Sequence, residues 1–315
     1  MTATSKTEHI PNVLPPATLH APSIAIIGLG CVGSVLGRAL GHAGYPLVAI
    51  ASRNPAKAEA IAHTFGAHPV SPAAAAARAD LVLLTVPDDV LPSLARDLAA
   101  AGAWRAGQFV VHASGASPAS VLQPAADEGA IIGSFHPVAA FANPDAMLPL
   151  GITFGVEAPE PLQSVLISMA QALGGHALAI TADQKMLYHA AAVIASNYTV
   201  TLAAMAAQLF AQLGAAPPDA LRTLLPLMRT TLDNLEHLGV PNALTGPLVR
   251  GDVGTVARHL HALDRTAPHV ATFYRCLGQA TLPLAQQRGA DSTSTGTLQD
   301  LLTLPSELVD QWNES

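Results

Sequence analysis

The stretch Ile26-Ile27-Gly28-Leu29-Gly30-Cys31-Val32-Gly33 decides the fold of this chain. An apolar run typical of a strand passes through glycines spaced G-x-G-x-x-G into a helical pattern. Gly28 permits a tight turn, Gly30 lets the backbone approach a ligand closely, and Gly33 allows the helix to pack against the strand. The start of such a helix offers free N–H groups and partial positive charge, which together favour an anion such as a pyrophosphate.

The region from Ser23 to about Ala182 alternates strands with helices. The strand cores are Val, Ile and Leu runs with little alternation, which is typical of strands buried on both faces. The chain is therefore predicted to be α/β, with an N-terminal Rossmann-type, doubly wound, mostly parallel sheet. The predicted strands are Ile24–Gly28, Leu47–Ala51, Leu81–Val86, Phe109–His112, Ile131–Phe135, Ile152–Val156 and Ala177–Ile180, with helices at Val32–Ala43, Pro55–Phe65, Asp88–Ala101 and Pro161–Leu173.

The glycine motif stands at the first strand of this series, which favours a dinucleotide site over a glycine turn without a ligand. Its predicted contacts are Gly28, Leu29, Gly30, Cys31, Val32 and Gly33.

Strand signals stop after Thr181, and the remaining chain predicts an all-helical C-terminal domain. Asp183 is a candidate cap for the first long helix. We expect a flexible tail over 1–22, a dinucleotide-binding domain over 23–182, and a helical substrate and dimerisation domain over 183–315. Further helices are predicted at Asp219–Leu238, Asp252–Arg288 and Thr297–Trp312.

Composition excludes several classes of protein. The 315 residues are 50% hydrophobic and only 12% charged, which suits two domains with buried cores and not a disordered chain. A net charge of −7 weighs against nucleic acid as a partner. Two cysteines, Cys31 and Cys276, cannot build a disulfide framework, which favours the cytoplasm. The histidines lack metal-ligand spacing, so no metal site is expected.

No charged residue occurs from Met186 to Pro218, which is long enough to cross a membrane. Scattered polar residues such as Asn197 and Gln208 favour a buried helix of a soluble protein over a membrane span. Because this helix is too apolar to be exposed on a monomer, we expect a homodimer built on the helical half.

The residues after the second strand predict which dinucleotide binds. An NAD site places a carboxylate there for the ribose diol, whereas this chain has Ser52-Arg53-Asn54. Ser52 and Asn54 can hydrogen-bond a phosphate and Arg53 can pair with it, which favours NADP and makes NAD less suitable. A solvated arginine after a strand is the alternative.

Further candidates follow the later strands, at the edge of the sheet where ligands of such folds bind. Thr85, Val86 and Pro87 are predicted to border the cofactor, while Asp88 is a candidate helix cap. Ser114 and Gly115 are predicted to border it as well. His112 and His136 end consecutive strands, and each position fits a functional histidine as well as a structural one. His136 is a candidate substrate contact.

Lys185 and His189 are four residues apart and share one face of the long helix, with Asn197 further along on its flank. This arrangement predicts that Lys185 and His189 handle a proton and that Asn197 binds substrate. The alternative is that the helix simply begins with charged residues and that its other polar side chains are hydrogen-bonded within the core. Thr245 and Arg250, in a loop between two helices, could hold an anionic substrate; in the alternative, Arg250 pairs with Asp252, which caps a helix.

Several motifs together resemble one known family, the bacterial Rossmann-like proteins with a C-terminal domain of unknown function 2520. They are Gly28-x-Gly30-x-x-Gly33, Ser114-Gly115, Gly133–Pro137, Tyr188–Ala191, Asn197, Leu244–Pro247 and Arg250-Gly251-Asp252. The family is similar to pyrroline-5-carboxylate reductases, to deazaflavin-dependent NADP oxidoreductases and, more distantly, to β-hydroxyacid dehydrogenases. In the last group a lysine is the acid or base, with an asparagine one turn later. Lys185 matches that lysine and His189 replaces the asparagine, so either residue could be the acid.

The resemblance implies NADP-linked oxidoreduction and names no substrate. We therefore expect an NADP-dependent dehydrogenase or reductase acting on a small carbonyl, imine or alcohol bound between the domains. The alternative is a sensor or scaffold that binds NADP without turnover.

Overall fold

The structure is a computed structural model that describes residues 21–303. Most of the tail predicted over 1–22 lies outside the described residues. The end of the helix predicted over Thr297–Trp312 lies outside them as well.

Within residues 21–303 the strands form one eight-stranded sheet, in the order β3-β2-β1-β4-β5-β6-β7-β8. All neighbours are parallel except β6 and β7. The first six strands follow the usual Rossmann order, which confirms the predicted class. The strands are β1 Ile24–Ile27, β2 Leu47–Ala51, β3 His68–Pro69, β4 Leu81–Leu84, β5 Phe109–His112, β6 Ile131–Pro137, β7 Thr153–Glu157 and β8 His176–Ala179.

Helices cover both faces of the sheet, as its fully buried strands require. One apolar cluster joins alternate strand residues such as Ile24 and Ile26 to α1, α2 and α6, whose bounds are Cys31–His42, Pro55–Phe65 and Leu162–Ala172. A second cluster joins the opposite strand face to α3 Pro72–Ala76, α4 Leu91–Ala100 and α5 Gln123–Asp127. The doubly wound arrangement predicted from the sequence is therefore present.

Short elements escaped the sequence prediction because two to five residues show no measurable periodicity. These elements are β3, α3 and α5. Two of the three proposed aspartate caps, Asp88 and Asp183, were wrong. The helix after β4 begins at Leu91 without a side-chain cap, so Asp88 does not cap it. Thr181, in a capping box with Gln184, occupies the cap position expected for Asp183.

The chain divides into two compact units between Ser196 and Asn197, inside the long helix α7, Lys185–Gln212. The boundary at 182/183 remains a proposal. In its described residues the second unit is helical, as predicted for the C-terminal part. It contains α8 Pro217–Leu238, α9 Val253–Thr266, α10 Pro268–Gln287 and α11 Ser292–Leu302.

Two helices replace the single helix predicted over Asp252–Arg288, because Pro268 lacks an N–H group and begins a new helix as its first residue. Asp252 caps α9 by accepting a hydrogen bond from the Thr255 N–H, which confirms the predicted cap. The ion pair expected between Arg250 and Asp252 is not among those of the described residues. The last helix starts at Ser292, earlier than predicted, because Asp291 accepts from the backbone N–H groups of Thr293 and Ser294.

One helix in the described part of the chain, Ala182–Gln212, has the length and composition needed to cross a membrane. None of its most apolar window is buried in the structure, and a single helix of this kind is weak evidence for a membrane span.

Candidate dinucleotide and proton-transfer site

A cleft of about 380 Å³ lies at the carboxyl ends of β1 and β4, where the strand order reverses. This is the position at which open α/β sheets bind ligands. Nine of the residues predicted to contact the cofactor line the cleft: Gly28, Leu29, Gly30, Ser52, Arg53, Asn54, Thr85, Val86 and Pro87. Apolar side chains of Val90 and Leu94 complete one wall.

Glycine is present at the three positions of the motif for different structural reasons. Gly28 has a φ of 106°, which favours glycine, and its carbonyl accepts a 2.5 Å hydrogen bond from the Thr85 hydroxyl. A Cβ on Gly33 would overlap the Gly28 carbonyl and the Thr85 hydroxyl. By contrast, Gly30 has an ordinary φ of −72° and no atom of the described protein lies within 4 Å of an added Cβ. The fold therefore requires Gly28 and Gly33, while Gly30 leaves space that fits an approaching ligand.

Cys31 and Val32 form the first turn of α1 with Gly33, and none of the three is among the residues that line the cleft. Their contribution to a phosphate would come from backbone N–H groups at the helix start. Cys31 and Cys276 are both free thiols.

Of the residues after β2, two form the turn with their side chains and two others are exposed at the cleft. The Ser52 hydroxyl accepts from the Asn54 N–H at 3.1 Å, and the Asn54 carbonyl oxygen caps α2 by accepting from the Lys57 N–H at 3.2 Å. These two side chains shape the turn, which leaves Arg53 and Lys57 exposed along the cleft. No carboxylate is among the described residues that line it.

Lys57 was missed by the sequence reasoning. The cap relation that begins at Asn54 places it in the first turn of α2, close to the end of β2. That relation is the signal that could have identified it.

His112 and Ser114 build the loop after β5. The Nδ1 of His112 accepts from the Ser114 N–H at 3.1 Å, and its Nε2 lies 3.2 Å from the Pro118 carbonyl, which it therefore donates to. Burial, followed by the Lys185 charge, lowers the pKa of His112 to about 3. The Ser114 hydroxyl accepts from the N–H groups of Ala116 and Ser117. Both side chains are thus engaged in holding the loop, and neither Ser114 nor Gly115 lines the cleft.

Lys185 is only 1% exposed, and its ammonium is surrounded by partners. It donates to the Ser134 hydroxyl and forms an ion pair with Glu157 at 3.3 Å. Ser134 and Glu157 are direct partners across β6 and β7. Burial lowers the pKa of Lys185, while Glu157 opposes that shift. The second Glu157 oxygen accepts from the Ala119 N–H at 3.0 Å, so one carboxylate ties the loop after β5 to the start of α7.

His136 and His189 converge on Gly115. A Cβ on Gly115 would lie 2.7 Å from both His136 Nε2 and His189 Nδ1. The Nδ1 of His136 is 2.7 Å from the Tyr188 hydroxyl, whereas the buried Nδ1 of His189 has no hydrogen-bond partner in the described part of the chain. Burial, followed by the charges of His189 and Lys185, lowers the pKa of His136 to about 4.

The first unit therefore brings together Lys185, His189 and His136. Asn197, Thr245 and Arg250 are exposed residues of the second unit, and their predicted contacts with substrate remain predictions. Glu157, Ser134 and Tyr188 were not predicted as site residues. The last two lie within the family motifs Gly133–Pro137 and Tyr188–Ala191, whereas Glu157 carries no local sequence signal.

The fold defines a Rossmann-type protein with a cleft at the edge of the sheet where such folds bind ligands. Family models match in two segments: a Rossmann-like domain over residues 12–137 and a domain of unknown function (DUF2520) over residues 152–281. The chain therefore joins a Rossmann-like domain to a DUF2520 domain, as its sequence motifs indicated. By sequence, no curated protein matches the chain significantly.

Solved structures with the same fold include a candidate NADP oxidoreductase from Bacteroides fragilis, which is 23% identical with a TM-score of 0.67 and covers 84% of this chain and 100% of its own. A reductive aminase from Aspergillus terreus in complex with NADPH and ethyl-5-oxohexanoate is 17% identical, with a TM-score of 0.55 and coverages of 90% and 92%. A pyrroline-5-carboxylate reductase from Coxiella burnetii is 16% identical, with a TM-score of 0.57 and coverages of 85% and 99%.

The different roles of the glycines generate a testable prediction. Gly33→Ala should lower the melting temperature of the cofactor-free protein, because its Cβ overlaps the backbone of Gly28. Gly30→Ala should leave that temperature within about 2 °C of the parent, which corresponds to roughly 0.5 kcal/mol for a protein of this size. It should nevertheless weaken NADPH binding at least about tenfold, a loss of about 1.4 kcal/mol. Calorimetric unfolding and NADPH titration measure both effects; unchanged NADPH affinity in Gly30→Ala would show that the ligand does not approach there.

Proposed function

We propose that the protein is an NADP-dependent oxidoreductase that transfers a hydride to or from a small carbonyl, imine or alcohol. The observation that carries this proposal is the cleft at the reversal of strand order, with unused space at Gly30 and two cations but no carboxylate along its described lining. The NADP and NADPH named for structural neighbours support the same choice. The cofactor would supply the hydride, and the protein would bind, orient and protonate.

Arg53 and Lys57 would hold the 2′-phosphate that distinguishes NADP from NAD. Both are exposed at the cleft, and the turn formed by Ser52 and Asn54 sets their spacing. Guanidinium and ammonium groups form charge-assisted hydrogen bonds with phosphate. An NAD ribose would instead require a carboxylate acceptor near this position.

His189 is the better candidate for the proton donor of the two residues predicted to handle the proton. Its Nδ1 is buried and unpartnered among the described residues and faces Gly115. The Lys185 ammonium is enclosed by Ser134 and Glu157, so it would act as a positioning group that contributes charge and holds the start of α7. In this proposal, His136 contacts the substrate, and the exposed Asn197, Thr245 and Arg250 serve as further substrate contacts.

We also propose a cytoplasmic homodimer. The two free thiols suit a reducing compartment. Large apolar side chains on α7 are exposed in the single chain, including Leu187, Ile194 and Val200 at 77%, 61% and 69%. A second copy would remove this surface from water, as obligate interfaces do.

The first test concerns the choice of cofactor. Arg53→Ala and Lys57→Ala should each weaken NADPH binding by roughly 10- to 100-fold, because each removes a charge-assisted bond of about 1.5–3 kcal/mol. Affinity for NADH should change little. Titration by fluorescence or calorimetry measures both affinities, with Arg96→Ala, an exposed charge on α4, as the matched control. Equal affinity of the parent for both cofactors would contradict the NADP assignment.

The second test concerns the proton. Once a substrate is identified, His189→Ala should lower kcat by about 10²–10⁴-fold with NADPH affinity intact. Lys185→Met should cost about 3–5 kcal/mol of unfolding free energy, because it leaves the Glu157 carboxylate without its cation. The double variant Lys185→Met/Glu157→Gln should recover much of that stability. Near-normal turnover in His189→Ala would contradict the role of His189, and NADPH binding without turnover of any substrate tested would support the sensor alternative.

The third test concerns assembly. Light scattering at micromolar concentration without detergent should give twice the 32.2 kDa chain mass. Val200→Asp should shift the protein toward monomer, because burying an unpaired charge in an apolar interface is unfavourable. Gln299→Glu, which adds charge at an exposed position on α11, is the control. A stable parent monomer would contradict the dimer, and a requirement for detergent would favour the membrane alternative.

A further inference from the structure

The Tyr188 phenol is fixed against the ends of β6 and β7. Its oxygen lies 2.7 Å from the His136 Nδ1 and 3.3 Å from the His136 carbonyl, and the two rings meet edge to face. A Cβ on Gly155 would come within 2.5 Å of the same oxygen, so the glycine provides the space that the phenol occupies. The hydroxyl is thus directed at His136.

Two arrangements of the protons fit this pair, and the shorter contact favours one of them. Burial raises the pKa of Tyr188 to about 12, so the phenol keeps its proton at neutral pH. Burial, followed by the charges of His189 and Lys185, lowers the pKa of His136 to about 4, so its ring is neutral and carries one N–H. The closer acceptor for the phenol is Nδ1 rather than the carbonyl. When Nδ1 accepts, the ring hydrogen must be on Nε2.

The Nε2 of His136 lies against the backbone of Gly115. Gly115 does not have a positive φ, so its backbone conformation does not require glycine. An added Cβ would lie 2.7 Å from His136 Nε2 and equally close to His189 Nδ1. Two imidazole nitrogens from different elements therefore converge at the Gly115 backbone.

We propose that Tyr188 is a positioning residue that holds His136 as a neutral donor at Nε2, and that this donor selects a carbonyl oxygen over a protonated imine. An iminium nitrogen carries its own hydrogen and has no lone pair to accept from Nε2–H, whereas a carbonyl oxygen has two. The inference rests on the proposed oxidoreductase function.

The reaction balances with NADPH as reductant. A hydride supplied by NADPH would form the C–H bond at the carbonyl carbon, the C=O π pair would move to oxygen, and that oxygen would take a proton from His189. The products would be an alcohol and NADP⁺, and His189 would regain its proton from solvent. His136 donates a hydrogen bond to the oxygen throughout and transfers no proton, so it stabilises the developing negative charge.

The first experiment needs no substrate. Long-range ¹H–¹⁵N correlation spectra of the ¹⁵N-histidine-labelled full chain at pH 7 report the tautomer of each imidazole, and loss of one signal set in His136→Gln assigns His136. We expect the Nε2–H pattern in the parent and a shift toward a mixture in Tyr188→Phe, which keeps the ring against Gly155. The Nδ1–H pattern in the parent, or an unchanged pattern in Tyr188→Phe, overturns the positioning role.

The second experiment measures NADPH oxidation with matched panels of small aldehydes and ketones, and of cyclic imines that are protonated at neutral pH. The parent should turn over carbonyls faster. Tyr188→Phe should lower kcat about 3- to 10-fold, the loss expected for one neutral hydrogen bond, with NADPH affinity unchanged. Tyr45→Phe, a half-buried tyrosine elsewhere in the same unit, should leave kcat unchanged.

Faster turnover of protonated imines than of every carbonyl, or an unchanged kcat in Tyr188→Phe, overturns the proposal. If the parent oxidises NADPH with neither panel, the proposed oxidoreductase function fails, and with it the carbonyl preference. The tautomer spectra then still decide whether Tyr188 sets the form of His136.

Discussion

A buried ammonium needs a counter-charge, and the pairing of Lys185 with Glu157 organises the candidate proton-transfer site of the first unit. The desolvation of an isolated ammonium would be prohibitive, so the lysine is compatible with its position only because Glu157 and Ser134 surround it. Those partners are opposite one another on β6 and β7, and the same carboxylate holds the Ala119 N–H of the loop after β5. One ion pair therefore joins the loop, the two strands and the start of α7. His189 lies one helical turn beyond Lys185 on that helix.

Different hydrogen-bond partners give the histidines of this edge different capacities to donate and accept. His112 has both ring nitrogens engaged with the loop backbone, which makes it structural. His136 has one nitrogen held by Tyr188 and the other free toward Gly115, while His189 retains an unpartnered buried nitrogen among the described residues. Three residues of the same type thus differ in what they can donate, because their hydrogen-bond partners differ and not because their intrinsic chemistry does.

In the cleft at the ends of β1 and β4, some residues are required by the fold and others are left available to a ligand. Gly28 and Gly33 are required by the backbone and by the approach of α1 to β1 and Thr85. Gly30 has no such reason within the described protein, and the turn after β2 uses Ser52 and Asn54 for its own hydrogen bonds. The side chains left to meet a ligand are Arg53 and Lys57.

Local sequence was sufficient for the fold class, because apolar strand runs, glycine spacing and helical periodicity are properties of neighbouring residues. The motif from Gly28 to Gly33, the position of Arg53 and the shared helical face of Lys185 and His189 could all be predicted from such local patterns. Short elements such as α3, and the break at Pro268 between two long helices, were missed because two to five residues carry too little periodicity and a proline can start a helix as well as end one. Only the tertiary structure decided that Lys185 is enclosed by Glu157, that Tyr188 holds His136, and that two imidazoles meet at Gly115. Those partners are tens of residues apart in the chain, and the register of the sheet, not the local sequence, brings them within hydrogen-bonding distance.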